Sequence, residues 1–314
     1  MNLIDVIKSL QTEDQCLDFL ERRRWPNGVR CPQCGNDKVS RITRTVDLSK
    51  SRTEKKQNKR TRLYACLEST CQYRFTPTVG TMFHDSHLPL TKWFAAVALI
   101  VHAKKGMSAK QMERHLAVSY RTAWYMGHRI RKAMAETGGI TGPKLSGTVE
   151  LDETYVGGKQ KGKGVYYGKK SKAVVVGLRE RGGELRLVHT NDARAVTLKT
   201  VMDANVSPDV ERIMTDDSSA AFSALQSTGK HSYTKHTRGW YVSGDVHTNT
   251  VESAFSLLKR GIVGSFHRVS HKHLHRYLSE FEYRFNRREL PDLFSATVAR
   301  MVGSKEMKYA ELIS

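Results

Sequence analysis

Four cysteines in two close pairs constrain this chain more than anything else in it. CPQC (Cys31, Cys34) and CLESTC (Cys66, Cys71) give a C-x2-C and a C-x4-C pair, and four thiolates complete a tetrahedral zinc shell in which each pair grips the ion from one turn. Gly35, directly after Cys34, suits the tight turn of such a knuckle. No coordination position is left open, so one structural zinc is expected to fold a module and not to catalyse. The 31 residues between the pairs exceed the reach of a compact ribbon, and the polar run Ser49–Arg62 reads as an inserted loop. Unliganded thiols are the plainer alternative. Cys16 stands outside the pattern and reads as a buried thiol.

The rest of the chain must be accommodated around that module. A length of 314 residues allows two or three domains, and a 39% apolar share argues for a folded chain. The longest apolar run, Trp93–Val101, is roughly half of what a bilayer crossing requires. The amino terminus has no basic segment followed by a small-residue cleavage site. A soluble protein of a reducing cytosol, with no membrane partner, is the expectation. Lysine and arginine outnumber acids 52 to 31, a formal charge of +21. The excess gathers in three blocks, Arg41–Arg62, Lys159–Arg181 and Lys259–Glu289. Separated basic blocks suit an extended polyanion, because each phosphate neutralised releases condensed counterions. The Gly/Lys loop after Gly157 follows a strand but opens no helix and lacks P-loop order, so no nucleotide cofactor is expected.

Periodicity divides the chain into residues 1–27 (a helical segment with Leu3, Ile4, Ile7 and Leu10 as apolar positions), 28–85 (the zinc ribbon), 86–140 (helical), 141–290 and a tail, 291–314. Within the helical part, Ala109, Met112 and Leu116 line one helix and Ala123, Met126 and Ile130 a second, with Val118–Ser119 as the turn and Ser119 as N-cap. That spacing fits a helix-turn-helix, and Arg121, His128, Arg129, Arg131 and Lys132 give its second helix a basic face for a DNA groove. Beyond the break at Gly138–Pro143 come strands at Thr148–Val156, Ala173–Arg179 and Glu184–His189, a helix Ala193–Ala204, a strand Glu211–Thr215, a helix Ser219–Leu225, a strand His231–His236, and helices Thr248–Arg260 and His273–Arg288. This is the element order of an RNase H-like α/β core, a mixed sheet with flanking helices.

Acids fall at telling places in that order. Asp152 lies within the strand VELDETYV, Asp216 directly follows the strand RIMT, and Glu252 sits on the helix HTNTVESAFSLLKR. Two strand-borne aspartates and a helix-borne carboxylate can hold two divalent cations that activate a nucleophilic oxygen and stabilise a leaving oxygen in phosphodiester cleavage. Oxygen ligands favour Mg2+ or Mn2+. Asp217 rivals Asp216, and Glu153 rivals Asp152, although alternation sends Glu153 to the opposite face. Asn249, one turn before Glu252, is an alternative third ligand. Lys259, two turns after Glu252, shares its face and suits a DNA phosphate. In the last long helix Leu274, Tyr277, Leu278, Phe281 and Phe285 have core spacing, leaving His267, Arg268, Arg284, Arg287 and Arg288 outward.

These stretches, with YACLESTCQYRFTPTVGTMFHDSHLPLTKWF, HRIRKAM, LDETYVGGK, MTDDSSAAF and the segment from His247 to Arg288, are spread over residues 31–288. The chain resembles the zinc-ribbon insertion-sequence transposases of bacteria, the ISXO-like branch of the DDE transposases. The resemblance implies a metal-dependent enzyme that cuts at the ends of its mobile element and joins the 3′ hydroxyls to target DNA. By position it implies Asp152 and Asp216 as the catalytic aspartates and Glu252 as the third acid, with Asn249 still open, since some branches use asparagine there. It also implies double-stranded DNA as partner, contacted by Arg121, Arg129, Arg131, Lys132, Lys259, Arg260 and Arg268, a homo-oligomer on that DNA, and a bacterial, nucleoid-associated location. The rival readings are a non-enzymatic zinc-ribbon and helix-turn-helix regulator, and an RNase H-like nuclease without strand transfer.

Overall fold

In the computed structural model the described residues are 1–42, 62–135, 142–157, 172–216, 219–225, 229–234, 245–305 and 307–313. Most of the polar run between the cysteine pairs, most of the Gly/Lys loop after Gly157, Asp217 and His236 lie outside them. Two units divide the chain: Met1–His102 with Met112–Ala133 and Pro291–Ser314, and Ala103–Gln111 with Met134–Leu290.

In the first unit, α1 (Leu3–Ser9) and α2 (Glu13–Arg24) each open on a capping box, Asn2 with Asp5 and Thr12 with Gln15, which satisfies backbone N–H groups that a helix start leaves free. The apolar face of α1 differs from the sequence reading. Ile4 and Ile7 are exposed, whereas Val6 and Leu10 are buried, because the short helix packs along a single i, i+4 pair. Strands β1 (Val39–Ile42), β2 (Leu63–Cys66) and β3 (Arg74–Phe75) form an antiparallel sheet. So small a sheet needs help, and the rings of Trp25, Tyr64, Tyr73 and Phe75 stack around it. Arg62, from the basic run, is buried against α2, with Nη1 2.5 Å from Asp18 and 3.0 Å from Glu21.

Helix α3 (Leu90–His102) is buried over most of its surface, as its unbroken apolar run requires. It packs on α2 and on the helix Leu293–Gly303, where Phe19, Phe94 and Phe294 meet ring to ring. The segment read as a tail is thus part of this core: Phe294, Val298 and Met301 are fully buried. Helices α4 (Ala109–Leu116) and α5 (Tyr120–Ala135) flank a turn that Ala117 makes at φ 48°. Ser119 Oγ accepts the Thr122 N–H at 3.2 Å, the expected N-cap. Met112, Leu116, Ala123, Met126 and Ile130 are buried.

The second unit is built on a five-stranded mixed sheet of β4 (Thr148–Val156), β5 (Ala173–Glu180), β6 (Leu185–Thr190), β7 (Arg212–Thr215) and β8 (His231–Tyr233), in the order β6-β5-β4-β7-β8. The first three strands pair antiparallel, and β4–β7 and β7–β8 pair parallel. Alternation along the strands feeds two cores. Val149, Leu151, Val176, Leu178 and Ile213 point to one side, covered by α6 (Ala195–Asn205) and α7 (Ser219–Leu225). Val156, Val175, Leu185 and Leu187 belong to the core with α8 (Asn249–Gly261) and α9 (His271–Asn286). Each large side chain so buried contributes about 1.5–3 kcal/mol. At the open side of β6, two residues of α9 replace a neighbouring strand. Asn286 exchanges hydrogen bonds with both backbone groups of Leu185, and Glu282 accepts the N–H of Leu187.

Candidate active site and metal centre

The cysteine module takes shape from its turns. Gly35 adopts φ 78°, and its N–H donates to Cys31 O at 2.9 Å, closing the first knuckle. The second closes through the Cys71 N–H on Glu68 O, and Asn36 Nδ2 joins the two by donating to Glu68 at 2.9 Å. All four sulfurs lie within 4.8 Å of one another, Cys31 to Cys71 at 3.8 Å and Cys34 to Cys66 at 3.6 Å. Four thiolates about 2.3 Å from one tetrahedral ion stand about 3.8 Å apart, so the donor set fits zinc. Burial opposes ionisation of Cys31, yet the N–H groups of Cys34 and Gln33 bring its thiol down to about 7. At Cys66 the Glu68 N–H favours the thiolate, but burial and the neighbouring thiols push it up to about 12. Cys16 is buried elsewhere, also pushed up to about 12 by burial and by Glu13.

The acidic site is assembled by strand register. Thr148, Val149 and Glu150 pair in parallel with Arg212, Ile213 and Met214; Asp152 lies two residues past Glu150 in β4, and Asp216 directly follows the end of β7, two residues past Met214, so both acids lie toward the same end of the sheet. The face of β4 that bears Asp152 carries α8. Asp152 pairs with Gly177 of β5, and a Cβ on that glycine would lie 2.6 Å from the Phe255 ring and 2.8 Å from Val251. The missing side chain therefore lets the start of α8 rest directly on the sheet beside Asp152, with Glu252 adjacent to Val251. Burial pushes the Asp152 carboxyl up to about 7, and the charges of Asp216, Glu153 and Glu252 push the same way. The three acids are thus within electrostatic reach of one another. They form an open constellation, however: among the described residues the four cysteines are the one group of three or more His, Cys, Asp or Glu side chains gathered closely enough to hold a metal ion.

Glu153 pairs with Val176, on the face opposite Asp152. Glu252 is exposed, and its Oε1 receives the buried Thr248 hydroxyl at 2.8 Å. Asn249 is exposed at the first position of α8. Lys259 is exposed two turns further on, about 10 Å along the axis, and Arg260 and Arg268 are exposed nearby in the chain.

Several basic residues read as outward-facing are interior. Arg129 and Arg131 are only 4% and 3% exposed, and His128 is fully buried. Arg129 Nη2 donates to the backbone oxygens of Met82 and His84, and its guanidinium stands 5.3 Å from the Trp93 ring centre. Carbonyls and an aromatic face replace water around it, which makes it a packing element and removes it, with Arg131, from any groove-reading surface. Of that helix, Arg121 stays exposed over the Tyr309 ring at 4.5 Å, and Lys132 is half-buried, 3.9 Å from Glu311. Arg284 is buried as well, donating to Ala103 O at 2.7 Å and paired with Glu280.

One residue of the site escaped the sequence reading. Glu150 is fully buried on the face of Asp152, two residues before it, and its carboxylate accepts from Arg181 Nε and from the start of α8. An acid between Val149 and Leu151, in phase with Asp152, was the available signal.

A cysteine ribbon that fits zinc and a mixed sheet carrying an acidic group are the two parts that sequence comparison also finds. Residues 11–74 match the model of a transposase zinc-ribbon domain, and residues 144–286 that of an ISXO2-like transposase domain. The chain is 30% identical over 298 residues, 88% of its length and 92% of the other's, to an uncharacterized protein in transposable element ISH50 of Halobacterium salinarum. The chain belongs to the ISXO2-like transposase family.

Proposed function

We propose that this protein is a DNA transposase with an RNase H-like core, which cuts phosphodiester bonds at the ends of its mobile element and joins the 3′ hydroxyls to target DNA. What supports the reading is that the charges of Asp216 and Glu252 reach the buried Asp152, with β4 and β7 paired in parallel and the start of α8 seated over Gly177 beside Asp152. The strand order and the helices on both faces support the RNase H-like assignment.

Asp152, Asp216 and Glu252 would hold two Mg2+ or Mn2+ ions, which when bound activate the attacking oxygen and stabilise the leaving oxygen. The surroundings of Asp152 favour this loading: a buried carboxyl that resists ionisation beside other acids gains most from a cation. Glu252 is the third acid in this reading, because its charge reaches Asp152 and Thr248 orients it. Asn249 begins the same turn and is its alternative. Lys259, Arg260 and Arg268 hold the DNA backbone along α8 and the segment that follows it. The four cysteines hold a structural zinc that folds the ribbon. Helices α4 and α5 serve as a helix-turn-helix that contacts DNA through Arg121 and Lys132. Two or more copies act together on DNA, in the nucleoid.

Purified protein incubated with magnesium and DNA carrying the element ends tests the proposal. Nicked and joined products are expected, and Asp152→Ala, Asp216→Ala and Glu252→Ala should each lower them at least about 100-fold. Products unaffected by these changes would remove the active-site assignment. Cleavage without joining would make the protein a nuclease, and DNA binding without cleavage a regulator.

A further inference from the structure

Helix α8 begins in an unusual way. Its N-cap is Thr248, a residue type whose hydroxyl ordinarily accepts one of the free N–H groups of the first turn. Here Thr248 makes no such bond. The N–H groups of Thr250 and Val251 go instead to Glu150 Oε2, at 2.9 and 3.1 Å, and the Thr250 hydroxyl donates to the same oxygen at 2.8 Å. The Asn249 N–H points to His247 Nδ1 at 3.4 Å. A carboxylate from the sheet has taken over the capping of the helix, where the helix dipole also favours negative charge. This releases the Thr248 hydroxyl to donate to Glu252 Oε1 at 2.8 Å.

The other oxygen of Glu150 is anchored from behind. Arg181 Nε donates to Oε1 at 2.9 Å, while Nη1 holds Asp245 O at 2.8 Å and Nη2 holds His247 O at 3.1 Å. Arg181 thereby fixes the connection into α8 and the acid that caps it. Glu150 is two residues from Asp152 on one face of one strand, so the strand that carries Asp152 also sets the height and direction of the turn that carries Glu252.

We infer that Glu150 is a positioning residue of the acidic site: it caps α8 in place of Thr248, and so fixes the Glu252 carboxylate relative to Asp152. The inference rests on the proposed acidic centre for its functional meaning, but its structural content stands apart from the reaction. A glutamine at this position supplies one acceptor and one NH2 group, and the NH2 faces either Arg181 or the α8 amides, donor against donor.

The test uses the full chain loaded with zinc. Amide hydrogen exchange is followed in the zinc-loaded protein before any Mn2+ is added, and Mn2+ binding is followed by the loss of the free-ion EPR signal, for wild type, Glu150→Gln, Thr250→Val and Asp152→Asn. Glu150→Gln is expected to raise exchange at Thr250 and Val251 by about tenfold or more with β4 and β5 unchanged, and to weaken Mn2+ binding about tenfold, as loss of charge-assisted bonds implies. Thr250→Val removes one hydroxyl and keeps the fold should Glu150→Gln not fold, and is expected to shift both readouts the same way by about two- to fivefold. A purely structural Glu150 would lower thermal stability and leave the Mn2+ affinity of the folded protein at the wild-type value. That result, or unchanged exchange in the first turn of α8, overturns the inference. Wild-type Mn2+ affinity in Asp152→Asn instead removes the acidic centre, while exchange still decides whether Glu150 fixes the helix.

Discussion

Asp152 is the residue whose ionisation costs the fold most clearly. Its carboxyl titrates near 7 in the folded protein because it is buried and faces Asp216, Glu153 and Glu252, against about 3.9 in an unfolded chain. A raised acid binds its proton more tightly in the folded state, so the penalty grows as pH rises from about 4 and is complete above about 7. Asp152→Asn is therefore expected to stabilise the protein without Mg2+ or Mn2+ at pH 8 by on the order of 3 kcal/mol, with the gain fading toward pH 4. Thermal unfolding of the zinc-loaded protein without added Mg2+ or Mn2+ across that range checks this, and a pH-independent difference would count against it. The cysteines give the opposite case: stripping zinc should unfold β1–β3, seen as lost exchange protection around Tyr64 and Phe75. Cys31→Ser with Cys34→Ser should reproduce that loss. These thiols were legible in the sequence because their spacing is local. Glu150 was not, since three acids in one short strand look alike until a helix arrives to select among them. Arg129 and Arg131 were misplaced because charge alone was taken to mean solvent, while the oxygens that solvate Arg129 come from Met82 and His84, distant in sequence.

Helix α8 lies where a glycine allows it to lie. Gly177→Ala would drive a methyl group into Phe255 and Val251, and overpacking of this kind costs about 1–3 kcal/mol. The same change should lift the first turn of α8 away from Asp152 and lower cleavage more than it lowers DNA binding. Phe255→Leu, by making room, should return part of both losses in the double variant. A double-mutant cycle on unfolding and on cleavage reads this coupling, and strictly additive effects would show that the two residues do not share the contact. The existence of α8 was legible from its apolar stripe, and so were β4 to β7, each within about two residues of its observed ends. The seating of the helix was not, because nothing in a glycine's own sequence neighbourhood says which element will press upon it.

At the scale of the whole molecule, the +21 charge predicts DNA affinity that falls steeply with salt. A plot of log affinity against log salt should slope at about −0.9 for each phosphate neutralised, and Lys259→Ala or Arg268→Ala should each flatten it by about one. Filter binding or fluorescence anisotropy between 50 and 200 mM salt, a range in which such slopes become visible, gives the answer. The buried arginines should leave the slope unchanged. The return of residues 293–303 to the first unit was not legible, because a helix packing on partners about 200–270 positions away leaves no periodic mark of its destination. A separation of 95 to 101 positions governs β6, whose free side is closed by Glu282 and Asn286 of α9. Until roughly 90 more residues have left the ribosome, at about 5–20 residues per second, that strand is a row of open backbone groups able to pair with any passing chain. For several seconds of every synthesis the emerging protein is thus exposed to its own neighbours, and Asn286→Ala should reveal this as a lower soluble yield from cells, with little change in the mature protein's action on DNA.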